Sequence, residues 1–224
     1  MKKSFLGLFV FVSCLFGSML SSASFLSSTK SAPAPNSHLV NLHAMKGLVT
    51  QPDRPNGNTY WVSNQLIAGE YPADKRGADQ TRLKIGQYLD LGINCFIDLT
   101  HEGEREEYAN ILFEEAESKG FQGVEHIRLP IRDFGIPTEN EMKTILDTID
   151  AAIAEKKQTV YVHCRGGIGR TGTTVGCYLA KHGNSGSDAL KEVNRLFKHS
   201  GRSEECAYSP ETQAQMDFVS NWKS

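Results

Sequence analysis

Residues 159–172 read Thr-Val-Tyr-Val-His-Cys-Arg-Gly-Gly-Ile-Gly-Arg-Thr-Gly, and no other stretch limits the fold so tightly. A run of β-branched and aromatic residues of strand length ends on His163 and delivers Cys164. Gly166, Gly167 and Gly169 follow, and a helix is expected from about Thr171. Glycines let the backbone curl so that successive N–H groups face one point. The opening turn of a helix adds its own unpaired N–H groups and the positive end of its dipole. Such a cradle holds an anion and stabilises a thiolate at its centre. Arg170, six residues after Cys164, returns a planar guanidinium to the cradle, where it can hold two oxygens of a bound oxyanion by paired hydrogen bonds.

Strand–loop–helix units recur along the chain. Residues 61–68, 93–99, 124–130 and 159–163 read as strands. Residues 79–91, 104–119, 138–156, 171–182, 187–199 and 209–222 read as helices. Within 79–91, Leu83, Tyr88, Leu89 and Leu91 lie near one stripe. Thr138 with Glu141 forms a capping box, and Ser209 followed by Pro210 reads as the start of the last helix. Alternating strands and helices predict an α/β fold, a three-layer sandwich with a mainly parallel central sheet flanked by helices.

A second motif lies between a strand and a helix. Leu129-Pro130-Ile131-Arg132-Asp133-Phe134-Gly135-Ile136-Pro137 places a loop carboxylate 31 residues ahead of Cys164. His163-Cys164, five intervening residues and Arg170-Thr171-Gly172, in a strand–loop–helix setting, resemble the phosphate-binding loop of the protein tyrosine phosphatase superfamily. The surrounding sequence is most similar to its small dual-specificity branch. The Cys is late and the Asp early, the reverse of the low-molecular-weight phosphatases. Softer matches at residues 65–72, at Phe96-Ile97-Asp98-Leu99-Thr100 with Glu102 and Glu104, and at Ser209-Pro210-Glu211-Thr212 with Gln215 extend the resemblance over residues 59–222.

The resemblance implies hydrolysis of phosphomonoesters through a phosphocysteine on Cys164. Asp133 would be the proton donor to the leaving oxygen, and Thr171 a hydroxyl donor to the sulfur. Arg165, Gly166, Gly167, Ile168, Gly169 and Arg170 would bind the substrate phosphate, and His163 would support the loop by a hydrogen bond. It implies no cofactor and no metal, and the His and Cys spacing shows no zinc pattern. Asp98 reads as structural, and Glu102 and Glu104 as a solvated loop. The implied substrate is a phosphoprotein, with phosphotyrosine at least accepted and phosphoserine or phosphothreonine open. An inositol phosphate or phosphoinositide is the alternative, although the loop lacks the lysine pair of lipid-directed relatives. A phosphate-binding pseudophosphatase is the alternative of another class. A redox protein is disfavoured because no Cys-x-x-C is present.

Composition bounds the partners. The chain has 224 residues, 39% hydrophobic and 22% charged, with a formal net charge of −2. Residues 1–52 contain four lysines and no acid, so the remainder carries −6. A body of that sign is a poor general binder of nucleic acid. Lys2 and Lys3, the apolar run at 5–20 and the small residues Ser21-Ser22-Ala23 read as a signal peptide over 1–23. The apolar run is too short for a stable span in the mature chain, although an uncleaved anchor stays open. Residues 24–58, rich in Ser, Pro, Asn and Gly, read as a flexible linker or transit segment, and 59–224 as the cysteine phosphatase domain. The expected location is secreted or periplasmic, with an organelle as the alternative. Cys95 and Cys177 are expected as buried apolar side chains. Cys95 is also the candidate to protect Cys164 by a reversible disulfide, against the alternative of unrecoverable oxidation.

Overall fold

The computed structural model describes residues 51–223. The expected signal peptide over 1–23 and most of the expected 24–58 linker or transit segment lie outside them. The strands are β1 (Thr59–Trp61), β2 (Leu66–Gly69), β3 (Ile93–Asp98), β4 (Glu125–Arg128) and β5 (Thr159–His163). They form one sheet in the order β1-β2-β5-β3-β4, parallel except for the antiparallel edge pair β1–β2. The helices are α1 (Ala78–Asp90), α2 (Ala109–Ser118), α3 (Glu139–Ala154), α4 (Gly169–Lys181), α5 (Gly186–Phe197) and α6 (Gln213–Ser220), with a 3-10 turn at Gly201–Glu204.

The strand pleat divides the core. Side chains alternate along β5, so Tyr161 joins Phe96, Tyr88, Leu89 and Leu112 under α1 and α2. Val160 and Val162 join Ile97, Leu146, Ile149, Val175 and Val193 under α3, α4 and α5. Strands buried on both faces read as continuous apolar runs, which is why β3 and β5 are legible in the sequence. The expected three-layer sandwich with a mainly parallel sheet is the observed architecture.

Helix α4 lies in the middle of the second layer, with every residue from Gly169 to Ala180 buried. Its small residues admit the C-terminal segment. A Cβ on Gly176 would stand 2.6 Å from Val219 Cγ1, and one on Gly172 2.1 Å from Ser209 Oγ. In the same layer, α3 opens with the expected capping box. Thr138 Oγ1 accepts from Glu141 N at 3.2 Å, and Thr138 N donates to Glu141 Oε2 at 2.7 Å.

Several boundaries differ from the sequence reading. The strand expected over 61–68 is a hairpin, because Ser63 and Asn64 turn the chain and Val62 N and Ser63 N both donate to Leu66 O. The helix expected from 104 begins at Ala109, because Glu104 is drawn into the site described below. The last helix starts at Gln213 rather than beside Ser209. Thr212 is its cap, in a box with Gln215, and the Ser209 hydroxyl is engaged elsewhere. Leu83 is 66% exposed, because the buried stripe of α1 runs through Thr81, Ile85, Tyr88 and Leu89. Ordered packing also starts before residue 59. Gln51 exchanges two hydrogen bonds with the Trp61 backbone, and Trp61 Nε1 donates to Asp53 O at 2.9 Å. Among the described residues, no helix is long and apolar enough to cross a membrane.

Candidate active site

The site forms where the parallel strands end. Beyond β5 the ladder continues for one bond, Leu99 N to His163 O at 2.9 Å, and then the chain turns into the 164–170 loop. Cys164 is 3% exposed at the loop's start. The N–H groups of Arg165 to Gly169 donate to no acceptor among the described residues, as a cradle awaiting an anion requires. Two supports hold the loop from outside. Tyr71 N donates to Arg165 O at 3.2 Å, and Ser209 Oγ donates to Ile168 O at 2.8 Å. Gly167 has φ +71, and a Cβ there would stand 2.4 Å from the Gly69 carbonyl carbon. Only glycine fits both the left-handed backbone and the contact with the end of β2.

Arg170 is 1% exposed and points back under the loop. Its Nη1 and Nη2 bond Glu104 Oε2 and Oε1 at 2.7 and 2.6 Å, a paired fork, and Nη1 also reaches Ile131 O at 3.2 Å. Burial opposes the Arg170 charge, but the Glu104 bonds and the neighbouring Cys164 and Asp133 hold its pKa above the ordinary value. Partial burial likewise opposes the charge on Glu104, and Arg170 holds its carboxyl below the usual range. Asp133 Oδ1 lies 2.9 Å from Arg170 Nη2, so the expected loop carboxylate stands beside the expected guanidinium. Its loop is shaped by Phe134 at φ 58 and by Gly135 N donating to Arg132 O at 2.9 Å.

Other expected residues fall in varied places. His163 is buried, and its Nε2 pairs with Tyr108 OH at 2.6 Å rather than with the sulfur. Burial outweighs the pull of Asp98 and brings its pKa down to about 4, so the ring is neutral at physiological pH. Asp98 is fully buried and accepts from Thr100 N and Oγ1 at 2.8 and 2.7 Å. Burial alone would raise its pKa, but bonds from His126 and Thr100 and the nearby His163 hold it below the usual carboxylate range. It is a structural anchor. Thr171 is buried with its hydroxyl unpartnered among the described residues. The Arg165 side chain is exposed on the rim.

Cys95 does not reach Cys164. It pairs in register with Val160, four residues back along β5, which separates the two by roughly 13 Å at about 3.3 Å per residue. A disulfide needs Cα atoms within about 7 Å. Burial pushes the Cys95 thiol up to about 12, as befits the buried apolar reading.

Two residues escaped the sequence reading. Glu104 stood among solvated acids, and no local spacing ties it to an arginine 66 positions away. Gln215 reads in the sequence only as part of a helix start. It is fully buried; its Nε2 donates to Gly135 O at 3.0 Å, and its Oε1 accepts from Thr212 N at 3.1 Å. It also touches the loop, with Oε1 2.9 Å from where a Cβ on Gly169 would sit; Glu211 Oε2 stands 3.2 Å from the same point.

A cysteine in an N–H cradle, an arginine beneath it and a carboxylate alongside define a cysteine-dependent phosphatase of the protein tyrosine and dual-specificity superfamily. The chain belongs to the family described as the Swiss Army Knife protein, DSP-PTPase phosphatase domain, whose model matches residues 60–217. It is 28% identical over 125 residues to protein tyrosine phosphatase domain-containing protein 1 of Mus musculus, a match covering 53% of this chain and 16% of that protein. The chain thus spans only a minor part of that relative's length. Its fold is similar to Tk-PTP in the active form, with TM-score 0.56, 23% identity, and coverage of 72% of this chain and 93% of that one. It is also similar to the core catalytic domain of the PP-IP phosphatase SIW14 from S. cerevisiae, with TM-score 0.54, 16% identity, and coverage of 79% and 89%.

Proposed function

We propose that the chain hydrolyses phosphomonoesters through a phosphocysteine on Cys164, with Asp133 as general acid and then general base. The carrying observation is the convergence of Cys164, the unpartnered loop N–H groups, and Arg170 flanked by Asp133. In the first step the Cys164 thiolate attacks phosphorus, an S–P bond forms, and the P–O bond to the leaving group breaks as Asp133 gives that oxygen a proton. In the second, water attacks phosphorus, Asp133 takes its proton, the S–P bond breaks and inorganic phosphate leaves. The loop N–H groups and Arg170 stabilise the charge on the equatorial oxygens in both steps. The buried Thr171 hydroxyl is free to donate to the departing sulfur.

A phosphoprotein is the first substrate reading, supported by the name of the mouse relative. A small phosphorylated molecule is the second, favoured by the exposed Arg165 at the rim and by the PP-IP phosphatase among the similar folds.

Asp133→Ala tests the acid. Alkyl phosphates should slow by about 10²-fold or more, while aryl phosphates with good leaving groups should slow much less, because only a poor leaving group needs the proton. Steady-state rates over a series of leaving groups read this out. Equal slowing of both would move the proton donor elsewhere, with Glu211 the next carboxylate by the loop.

Export is part of the same reading, supported by the charge and small-residue pattern of residues 1–23. Mass analysis of the mature chain should find the 5–20 segment removed. An intact Met1 or Lys2 terminus would make that segment an anchor.

A further inference from the structure

We propose that Arg202 and Arg165 form a second anion subsite at the mouth of the cradle, and that the substrate is a compact small molecule bearing a second phosphate next to the one removed. The inference rests on phosphomonoester hydrolysis at Cys164 and names the substrate class for it.

Arg202 belongs to the Gly201–Glu204 turn between α5 and α6. That turn is fixed from both sides. Arg202 N donates to Ser200 Oγ, and Gly201 N donates to Gly57 O at 2.8 Å. Its guanidinium therefore arrives at the loop on a short, anchored stem. Nη2 lies 3.5 Å from the point that a Cβ on Gly166 would occupy, the same distance as Ile168 Cδ1. Nη1 is taken by Glu205 at 2.7 Å, but that carboxylate is 61% exposed, and so water and salt weaken its hold. Nε is buried and has no acceptor among the described residues, and Nη2 has none either. A buried cationic N–H without a partner is uncommon and costly, and an anion seated on the same fork would satisfy it.

Arg165 supplies the second cation. It is the first residue after the nucleophile and its backbone is pinned through Tyr71 N, yet its exposed side chain has no partner among the described residues. Arg165 adjoins Gly166 in sequence, and the Arg202 guanidinium reaches Gly166 in space. The acids nearby are accounted for: Glu205 occupies the outer edge of Arg202, and Glu211 faces Gly169 on the other side of the loop. In a body of net charge −6, two cations left open at one rim mark a place where negative charge is wanted. The fork geometry of arginine suits an oxyanion, and of the oxyanions a phosphate brings the larger charge to two cations.

The position decides the size of the substrate. An anion held by Nη2 would lie against Gly166, a residue of the loop that would hold the primary phosphate. Same-side residues of an extended peptide are about 7 Å apart and place a second phosphate farther out. Neighbouring hydroxyls of a small polyol bring two phosphates together.

The test compares kcat/KM of the full chain for a cyclitol monophosphate and for the vicinal bisphosphate of the same cyclitol. The same headgroup on phosphatidylcholine vesicles and a doubly phosphorylated peptide serve as further arms. Wild type should prefer the bisphosphate by about 10-fold or more, free or lipid-borne, the two arms telling the sources apart. Arg202→Ala and Arg165→Ala should each shrink the ratio toward unity, chiefly through KM, and Arg202→Lys should restore part of it. Calorimetric binding of both cyclitols to Cys164→Ser reads the same preference without turnover. No preference in wild type, a ratio unmoved by either alanine variant, or a preference for the peptide overturns the proposal. Normal monophosphate turnover without preference sinks the subsite alone, whereas no turnover of any monoester sinks the parent mechanism.

Discussion

Cys164→Ser should bind phosphate esters and hydrolyse essentially none of them, a loss of at least about 10,000-fold in turnover. The reasoning separates two things that one residue joins. Binding comes from the loop N–H groups and Arg170, which serine leaves in place, because the loop is held by Tyr71 N, by Ser209 Oγ and by the Gly167–Gly69 contact rather than by the sulfur. Chemistry comes from the thiolate, and a serine hydroxyl in the same place has no general base: His163 is neutral and turned to Tyr108. Calorimetric titration with a phosphopeptide or a cyclitol phosphate should therefore show retained affinity, and single-turnover quench should show no phosphoenzyme. Appreciable residual hydrolysis would mean that another nucleophile is at work.

Arg170→Lys is the second large effect, and keeping the positive charge does not rescue it. We expect kcat to fall by about 10²-fold or more, with a smaller change in KM, because a guanidinium that holds two equatorial oxygens matters most in the transition state. A lysine ammonium is a point charge and cannot both satisfy the Glu104 fork and face the phosphate. The carboxylate would capture it. Adding Glu104→Gln to the lysine variant should then recover part of the lost rate, whereas Glu104→Gln in wild type should lower it. If the double variant is no better than Arg170→Lys alone, Glu104 does not position the guanidinium.

The sequence was most readable where backbone chemistry is local. The glycines of the loop, the capping box at Thr138 and the apolar runs of β3 and β5 each announce their structure within a dozen residues. Asp133 was readable because its loop sits between two recognisable elements and a family resemblance supplied its role. Glu104 and Gln215 were not, since their importance comes from partners far along the chain. Glu104 in particular conflicted with its surroundings: helix propensity favoured α2 starting there, and the bond to Arg170 held it in the preceding loop instead. The hairpin at Ser63–Asn64 was missed for a different reason. Its flanking residues, Val62 and Leu66, are apolar enough that the alternation reads through the turn. Ser209 reads as a helix cap in the sequence, but a good cap is also a good donor to a loop carbonyl, and its hydroxyl goes to Ile168 O instead.

The bonds of Gln215 bear on how such a site comes into being. One side chain joins the acid loop at Gly135, the cap of α6 at Thr212 and the underside of the loop at Gly169. A chain emerging from the ribosome has its nucleophile, its arginine and its acid in hand well before this glutamine arrives. Until then the acid loop is tied to the helix that frames the cradle through Arg170 alone, by Asp133 and Ile131 O. Nascent chains ending short of Gln215 are thus expected to hold their acid loop less firmly, and full assembly of the thiolate's surroundings waits until the domain can close as a unit.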